Sequence, residues 1–246
     1  MKKTANILVA AAFAVPALCA VSSAAETSLS KDFPAGSVKS VKFNSVSASV
    51  SVEKSTGPVQ ITLSGFDPEK CEFETEMVGS ELKISLKPKQ KKALFSSRSL
   101  DCRAGASLLA PAGTGLDVRT VSGEISVNGF SAPVRLGTVS GEARAENLSG
   151  QLVWSSVSGD LSGSISGPVE LSSTSGDASL RWLSAPEKLE FKSVSGSGKF
   201  VLPKGTSVSA KFSGVSGKLR NSLPEGAGVD VRLKTVSGDV ELSPAP

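Results

Sequence analysis

Histidine and tyrosine are missing from all 246 residues, and only Trp154 and Trp182 supply an indole ring. Without histidine there is no histidine-based triad, no imidazole metal ligand and no imidazole switch near neutral pH. The scarcity of rings also removes the aromatic platforms common in sugar and single-strand binders. Long apolar runs are equally rare. Beyond the stretch from Ile7 to Val21, none approaches the roughly 20 residues that a membrane-spanning helix needs. No segment between Lys31 and Ala110 sustains a helical period. A strong excess of one charge is also lacking, with 27 basic residues against 23 acids.

The one apolar run follows Lys2 and Lys3 and precedes Ser22, Ser23, Ala24 and Ala25. That order is the form of a secretory signal peptide, and it predicts a leader over 1–25 cleaved just before Ala25 or Glu26. A lipoprotein signal acylated at Cys19 is the alternative, set back by the bulky Leu18 before the cysteine. Removing Lys2 and Lys3 leaves 25 basic residues and a charge near +2, which argues against a general nucleic-acid binder. Export predicts a place in the periplasm, cell envelope or cell surface. It also favours pairing of the remaining cysteines, Cys71 and Cys102, with two buried free thiols as the alternative. A disulfide holds its Cα atoms within about 7 Å, so it predicts that the segments carrying the two residues are adjacent strands.

Two further regions are legible, 26–114 and 115–246. The first is strand-like but irregular. Val59, Ile61 and Leu63 alternate with polar residues, and Phe73 to Met77 and Leu82 to Leu86 flank Val78-Gly79-Ser80-Glu81 as a hairpin. Lys87 to Arg98 carries five cations and no acid and reads as an exposed loop leading to a Cys102 strand.

From Leu116 to Leu242 a nine-residue word repeats: Gly or Ala, a polar residue or Pro, apolar, any, apolar, any, any, apolar, Ser. Acids follow Gly123, Gly141, Gly159 and Gly176, whereas Pro133, Gln151, Pro168 and Pro186 follow the intervening corners, so the true unit is two words. Successive strong corners, from Gly123 to Gly238, lie 17 to 21 residues apart along the chain. Apolar positions two apart make a strand. A short strand, a bend and a Ser-Gly corner, made twice, return the chain to its start one layer up. The fold class predicted is all-β, a single-stranded parallel β-helix or β-solenoid of about 18–21 residues per coil, preceded by an irregular β region. A β-sandwich of short antiparallel strands competes with it, but does not require acid and Pro to alternate at fixed corners. The word places three residues of each half-coil inward, such as Ile125, Val127 and Phe130, or Val134, Leu136 and Val139, with Trp154 in the core. The repeated glycine points to a positive φ at each corner, and the preceding serine to a hydrogen bond within the turn or to the next coil.

The segments Leu116-Asp117-Val118-Arg119-Thr120-Val121-Ser122-Gly123-Glu124-Ile125, Gly137-Thr138-Val139-Ser140-Gly141-Glu142, Ser156-Val157-Ser158-Gly159-Asp160-Leu161 and Lys234-Thr235-Val236-Ser237-Gly238-Asp239-Val240 resemble the Thr-Val-Ser-Gly-Asp repeats of the bacterial "putative adhesin" family, domain of unknown function 4097. The resemblance runs closely from Leu116 to Ser243. It implies a parallel β-solenoid located in the cell envelope, with adhesion as the inherited label. Ser197 and Lys218 depart from the acid usual at their position.

Three constellations could carry chemistry. Glu124, Glu142, Asp160 and Asp177 stack along one edge, where carboxylates about 4.8 Å apart invite a cation or splay into solvent as ordinary turn formers. No calcium loop accompanies them. Lys89, Lys91 and Lys92 could meet lipid headgroups or envelope polymers, or could be solvated. Trp182, beside Arg181, reads as the one outward aromatic and a possible contact for a sugar or partner. No catalytic residue and no cofactor is predicted, because serine and glycine abound without a histidine or a nucleophile elbow. The functional expectation is an exported, non-catalytic solenoid that meets a surface, an envelope polymer, a lipid headgroup or a protein partner, and no nucleic acid. The alternatives are a polysaccharide-acting β-helix enzyme using paired carboxylates and a purely structural envelope scaffold.

Overall fold

The computed structural model describes residues 28–246 apart from 35, 94, 95, 100, 101 and 103. The leader expected over 1–25, with Cys19, lies outside the described residues. Strands β1 (Leu29–Phe33), β2 (Ser40–Ser45), β3 (Ser49–Ser55), β4 (Val59–Ser64), β5 (Cys71–Val78), β6 (Glu81–Pro88), β7 (Gln90–Ala93), β8 (Ser96–Ser99) and β9 (Gly105–Pro111) come first. The repeats follow as pairs: β10 (Gly115–Thr120) with β11 (Ile125–Asn128), β12 (Val134–Thr138) with β13 (Ala143–Leu148), and β14 (Leu152–Ser156) with β15 (Leu161–Ile165). Then come β16 (Val169–Ser173) with β17 (Ala178–Trp182), β18 (Lys188–Ser193) with β19 (Gly198–Leu202), β20 (Val208–Gly214) with β21 (Leu219–Asn221), and β22 (Val229–Thr235) with β23 (Val240–Pro244).

Each coil gives one strand to each of two facing sheets, so the chain is an all-β parallel solenoid. One sheet runs β1-β4-β9-β3-β11-β13-β15-β17-β19-β23-β21, and the other β20-β22-β18-β16-β14-β12-β10-β2-β6-β5. From β2 and β3 onward, neighbours are parallel within each sheet. Equivalent residues stack in register, as with Val134 on Leu116 and Leu152 on Val134. Ladders of Val, Leu, Ile and Phe between the sheets form the core, and burying such side chains is the dominant stabilising term. Edge-to-face contacts extend it through Phe191, Phe200 and Trp182, with ring centroids 5.4 and 6.0 Å apart.

Spatial order departs from chain order at both ends. β22 and β23 slot between the β18/β19 layer and the β20/β21 layer. Likewise β2 and β3 lie between β6/β9 and β10/β11. The amino-terminal end is closed by strands running the other way: β4 pairs antiparallel with β9, β1 with β4, and β5 with β6. Lys31, exposed on the edge strand β1 opposite Ile61, donates to Thr75 and lies over the Phe33 ring, and a lysine on an edge strand blunts it against further pairing.

The β5–β6 hairpin has the expected turn, with Gly79 at φ 62°. Cys71 and Cys102 are joined, with Cα atoms 5.2 Å apart. Cys71 opens β5, but Cys102 lies in a non-strand connector before β9 rather than in an adjacent strand. The segment expected to be a loop from Lys87 to Arg98 instead contains the antiparallel hairpin β7–β8. Its register pairs Gln90 with Ser99, Lys91 with Arg98, Lys92 with Ser97 and Ala93 with Ser96.

Candidate functional site: the corner walls

The two corners of a coil obey different stereochemistry, and this decides which side chains reach solvent. At the corner after the second sheet, strand parity runs on through a hydroxyl. In β12, Val134, Leu136 and Thr138 all face inward, so Val139 faces out. The Thr or Ser hydroxyl accepts the amide three residues later, at 2.7–3.0 Å, in seven successive layers from Ser45–Ala48 to Thr235–Gly238. This satisfies a buried N–H inside the turn itself. The next serine reaches sideways: Ser122 Oγ donates to the Val46 carbonyl at 3.3 Å and Ser195 Oγ to that of Thr174 at 3.3 Å.

The corner glycines are explained by approach, not by a positive φ. The positive-φ glycines among the described residues are Gly36, Gly65, Gly79, Gly129, Gly163 and Gly205, none of which is a strong corner. A Cβ on Gly141 would stand 2.1 Å from the carbonyl oxygen of Gly123, and one on Gly159 2.0 Å from that of Gly141. Backbone stacks directly on backbone from layer to layer, and only hydrogen fits between.

At the opposite corner of the β10/β11 and β12/β13 coils an αL residue reverses the parity, whereas in β15, β17 and β19 the alternation runs on to Ile165, Trp182 and Leu202. Gly129 at φ 87° and Asn147 at φ 53° turn the chain so that Phe130 and Leu148 point inward, fully buried. Asn147 is also the extra residue of a bulge between Glu146 and Leu148 against β15. Its absence from the β15 coil accounts for the single 17-residue spacing.

The apolar third position predicted as core is therefore core at only one corner. Val121, Val139, Val157, Val194 and Val236 are 42–49 % exposed, and Thr174 in the same column is exposed as well. Backbone bonds between layers align them as one file with Val46 at one end and Val215, 82 % exposed, at the other. Seven of the eleven exposed large hydrophobic residues among those described stand in this file.

The predicted acidic edge flanks it. Glu124, Glu142, Asp160 and Asp177 are exposed and aligned one per layer. The aspartates have a structural task that the spacing did not announce. Asp160 Oδ1 accepts the Asp177 amide at 2.8 Å, Asp177 Oδ1 that of Ser197 at 2.7 Å, and Asp239 Oδ1 that of Lys218 at 2.9 Å. Ser197 and Lys218 thus fit the column by donating a main-chain N–H rather than by carrying an acid. Among the described residues, no group of three or more His, Cys, Asp or Glu side chains converges as a metal cage. Glu124 and Glu142 border an open groove of about 500 Å³ on the outer face of the first sheet, lined largely by serines such as Ser51, Ser107, Ser126 and Ser162, with Arg144.

Trp182 is not the outward aromatic expected of it. Ala178, Leu180 and Trp182 alternate inward on β17, leaving Arg181 outside, and Trp182 is 2 % exposed with Nε1 donating to the Gly167 carbonyl at 3.1 Å. Alternation from Ala178 was the available signal. Trp154 is core as expected, though its Nε1 finds no acceptor among the described residues. Lys89 is exposed, its ammonium donating to the Pro68 carbonyl at 2.7 Å, and Lys91 and Lys92 lie on β7. On the outer face of the second sheet, Lys188 and then Lys192 hold the Glu190 carboxyl down at about 2.

No curated protein matches the sequence. Among solved structures, a putative adhesin from Bacteroides fragilis NCTC 9343 aligns at 17 % identity over 89 % of this chain and 97 % of its own, with a TM-score of 0.51. One from Parabacteroides distasonis ATCC 8503 aligns at 11 % identity over 89 % and 98 %, with a TM-score of 0.46. At such identity the first likeness is one of fold. The sequence itself matches the family described as Toastrack DUF4097 over residues 107–243. That match covers more than half of the chain and the whole run of stacked Val-Ser-Gly corners from Val121 to Gly238, and the chain belongs to this family.

Proposed function

We propose that this chain is an exported, non-catalytic scaffold of the cell envelope whose outer columns meet a surface or a partner. The observation that supports it is the arrangement of the side chains left over from stacking. Serines, carboxylates and valines repeat one per layer along straight walls instead of converging on a sheltered centre. Repetition of this kind offers many weak, equivalent contacts, which suits an extended polymer or another repetitive surface. The Cys71–Cys102 pair suits an oxidising compartment. No helix among the described residues is long and apolar enough to cross a membrane. The β7 lysines, Lys91 and Lys92, with Lys89 before them, form an accessory contact for anionic headgroups or polymers.

Fractionation of cells producing the tagged chain, with amino-terminal sequencing and thiol labelling, tests the reading. A product starting at Ala25 or Glu26, oxidised at both cysteines and retained with envelope material, is expected. Uncleaved, reduced protein in the cytoplasm would overturn it.

A further inference from the structure

The valine file is not required by the corner that carries it. Thr174 occupies the same place in the β16 layer and keeps both neighbouring bonds: its amide donates to the Ser156 carbonyl at 3.3 Å and its carbonyl accepts from Ser195. A β-branched shape is thus sufficient for the backbone, and threonine supplies it with a hydroxyl that water can solvate. Seven valines where threonine fits form an exposed apolar ridge. With about 4.8 Å per layer over seven steps, it is about 34 Å long. Exposed apolar surface gathered in one file, broken only at Thr174, marks an interaction site.

The spacing of the ridge limits what can cover it. An α-helix offers a side-chain row every 5.4 Å, and an extended strand offers one on the same face about every 6.7 Å. Only another stack of strands repeats at the ridge's own interval. We infer that the partner is a second copy of this chain, ridge against ridge, about a two-fold axis parallel to the stack. This specifies an occupant within the interaction reading above.

Charge selects that axis. One flank of the ridge carries the acids of the corner, Glu124, Glu142, Asp160, Asp177 and Asp239. The other flank carries Arg119, Lys192 and Lys234, exposed in one outward column of the second sheet, with neutral Gly137, Ser155 and Ser172 in the three layers between Arg119 and Lys192. A two-fold parallel to the stack sets equal layers opposite one another, with Glu124 facing Arg119 and Asp239 facing Lys234 near the two ends and Glu142, Asp160 and Asp177 facing neutral Gly137, Ser155 and Ser172 between them. A two-fold across the ridge would set carboxylates against carboxylates. Arg119 and Lys192 already have Asp117 and Glu190 as neighbours, so their exchange of partners sets orientation more than affinity. A wall only one corner wide falls at the small end of specific interfaces, so association is reversible and concentration-dependent.

Sedimentation of the mature protein from low to high micromolar concentration tests this directly. A monomer–dimer equilibrium is expected, weakened at least tenfold by the triple variant Val121→Thr, Val139→Thr, Val157→Thr, with circular dichroism and melting unchanged. Orientation is read separately by single cysteines. Val121→Cys and Val236→Cys, each far from the ridge centre, should both form disulfide-linked homodimers under mild oxidation. A monomer at every concentration overturns the inference while leaving the envelope reading standing if fractionation supports it. A dimer untouched by the triple variant, or one that links neither cysteine, overturns it equally.

Discussion

In the coils of β10/β11 and β12/β13 the two corners are written in nearly the same nine-residue word, yet one buries its third apolar residue and the other displays it. Phe130 and Val139 show the contrast: 0 % and 42 % exposed, nine residues apart. The difference is a single backbone state. Gly129 and Asn147 adopt αL and flip the alternation, whereas Thr138 continues it and spends its inward place on a hydroxyl that holds the Gly141 amide. A hydrophobic pattern alone does not say which way a residue points after a bend. The conformers between the apolar positions do.

Substitutions can break or sharpen that contrast. The largest effect is expected at the stacked corner, where Gly141→Ala forces a methyl to 2.1 Å from a carbonyl oxygen. Chemical denaturation should report a loss of more than about 4 kcal/mol, while Gly137→Ala, whose methyl would meet the flexible Arg119 side chain, stays within about 1 kcal/mol of the parent. Equal costs at the two sites would break the stacking explanation. Next comes Phe130→Ala, expected to cost about 3–5 kcal/mol as a core truncation, set against Val139→Ala at no more than about 0.5 kcal/mol. If Val139 proves as costly as Phe130, the corners are alike after all.

Smaller effects follow. A pH series probes the sheet between the corners through Glu190. Its carboxyl is held at about 2 when folded, against 4.5 as an ordinary glutamate, so the stabilisation is present above about pH 4.5 and is lost as pH falls toward 2. The size is about 1–2 kcal/mol, discounted for the exposed lysines that supply it. Thermal melts of the parent and Glu190→Gln should converge at low pH; parallel curves would defeat the assignment. Thr138→Val is expected to cost about 1 kcal/mol for a turn amide deprived of its acceptor. Amide exchange at Gly141 should quicken with it, and unchanged exchange would show that the hydroxyl bond is dispensable.

Much of the fold was legible because a solenoid repeats its constraints. The glycine interval carried the coil length, and the acid–Pro alternation carried the two-word unit. The hairpin around Gly79 was readable from its turn. What escaped depended on contacts between layers, which one strand of sequence does not contain. The reason for Gly141 is the oxygen of Gly123, and the task of Asp160 is the amide of Asp177. Trp182 was misplaced because the word was followed from its glycine instead of from the alternation Ala178-Leu180-Trp182. The candidate wall was visible as a valine column but assigned to the wrong side. Nothing in the spacing of Gly196, Gly217 and Gly238 told that the last of these stacks on the first.

That interleaving has a kinetic meaning. A stack built in chain order can peel from an end one coil at a time, as a one-dimensional array does. Here the outermost carboxy-terminal layer, β20 and β21, is paired only through β22 and β23, which leave the ribosome after it. The final residues therefore act as a latch: until 229–244 arrive, the preceding coil has no neighbour to hold it, and 229–244 cannot leave without freeing that coil as well. Stopping the chain at residue 228 removes two layers rather than one. The same device at β2 and β3 raises the sequence separation of the contacts at the other end, so folding of this molecule is slower to start and harder to reverse than its simple repeat suggests.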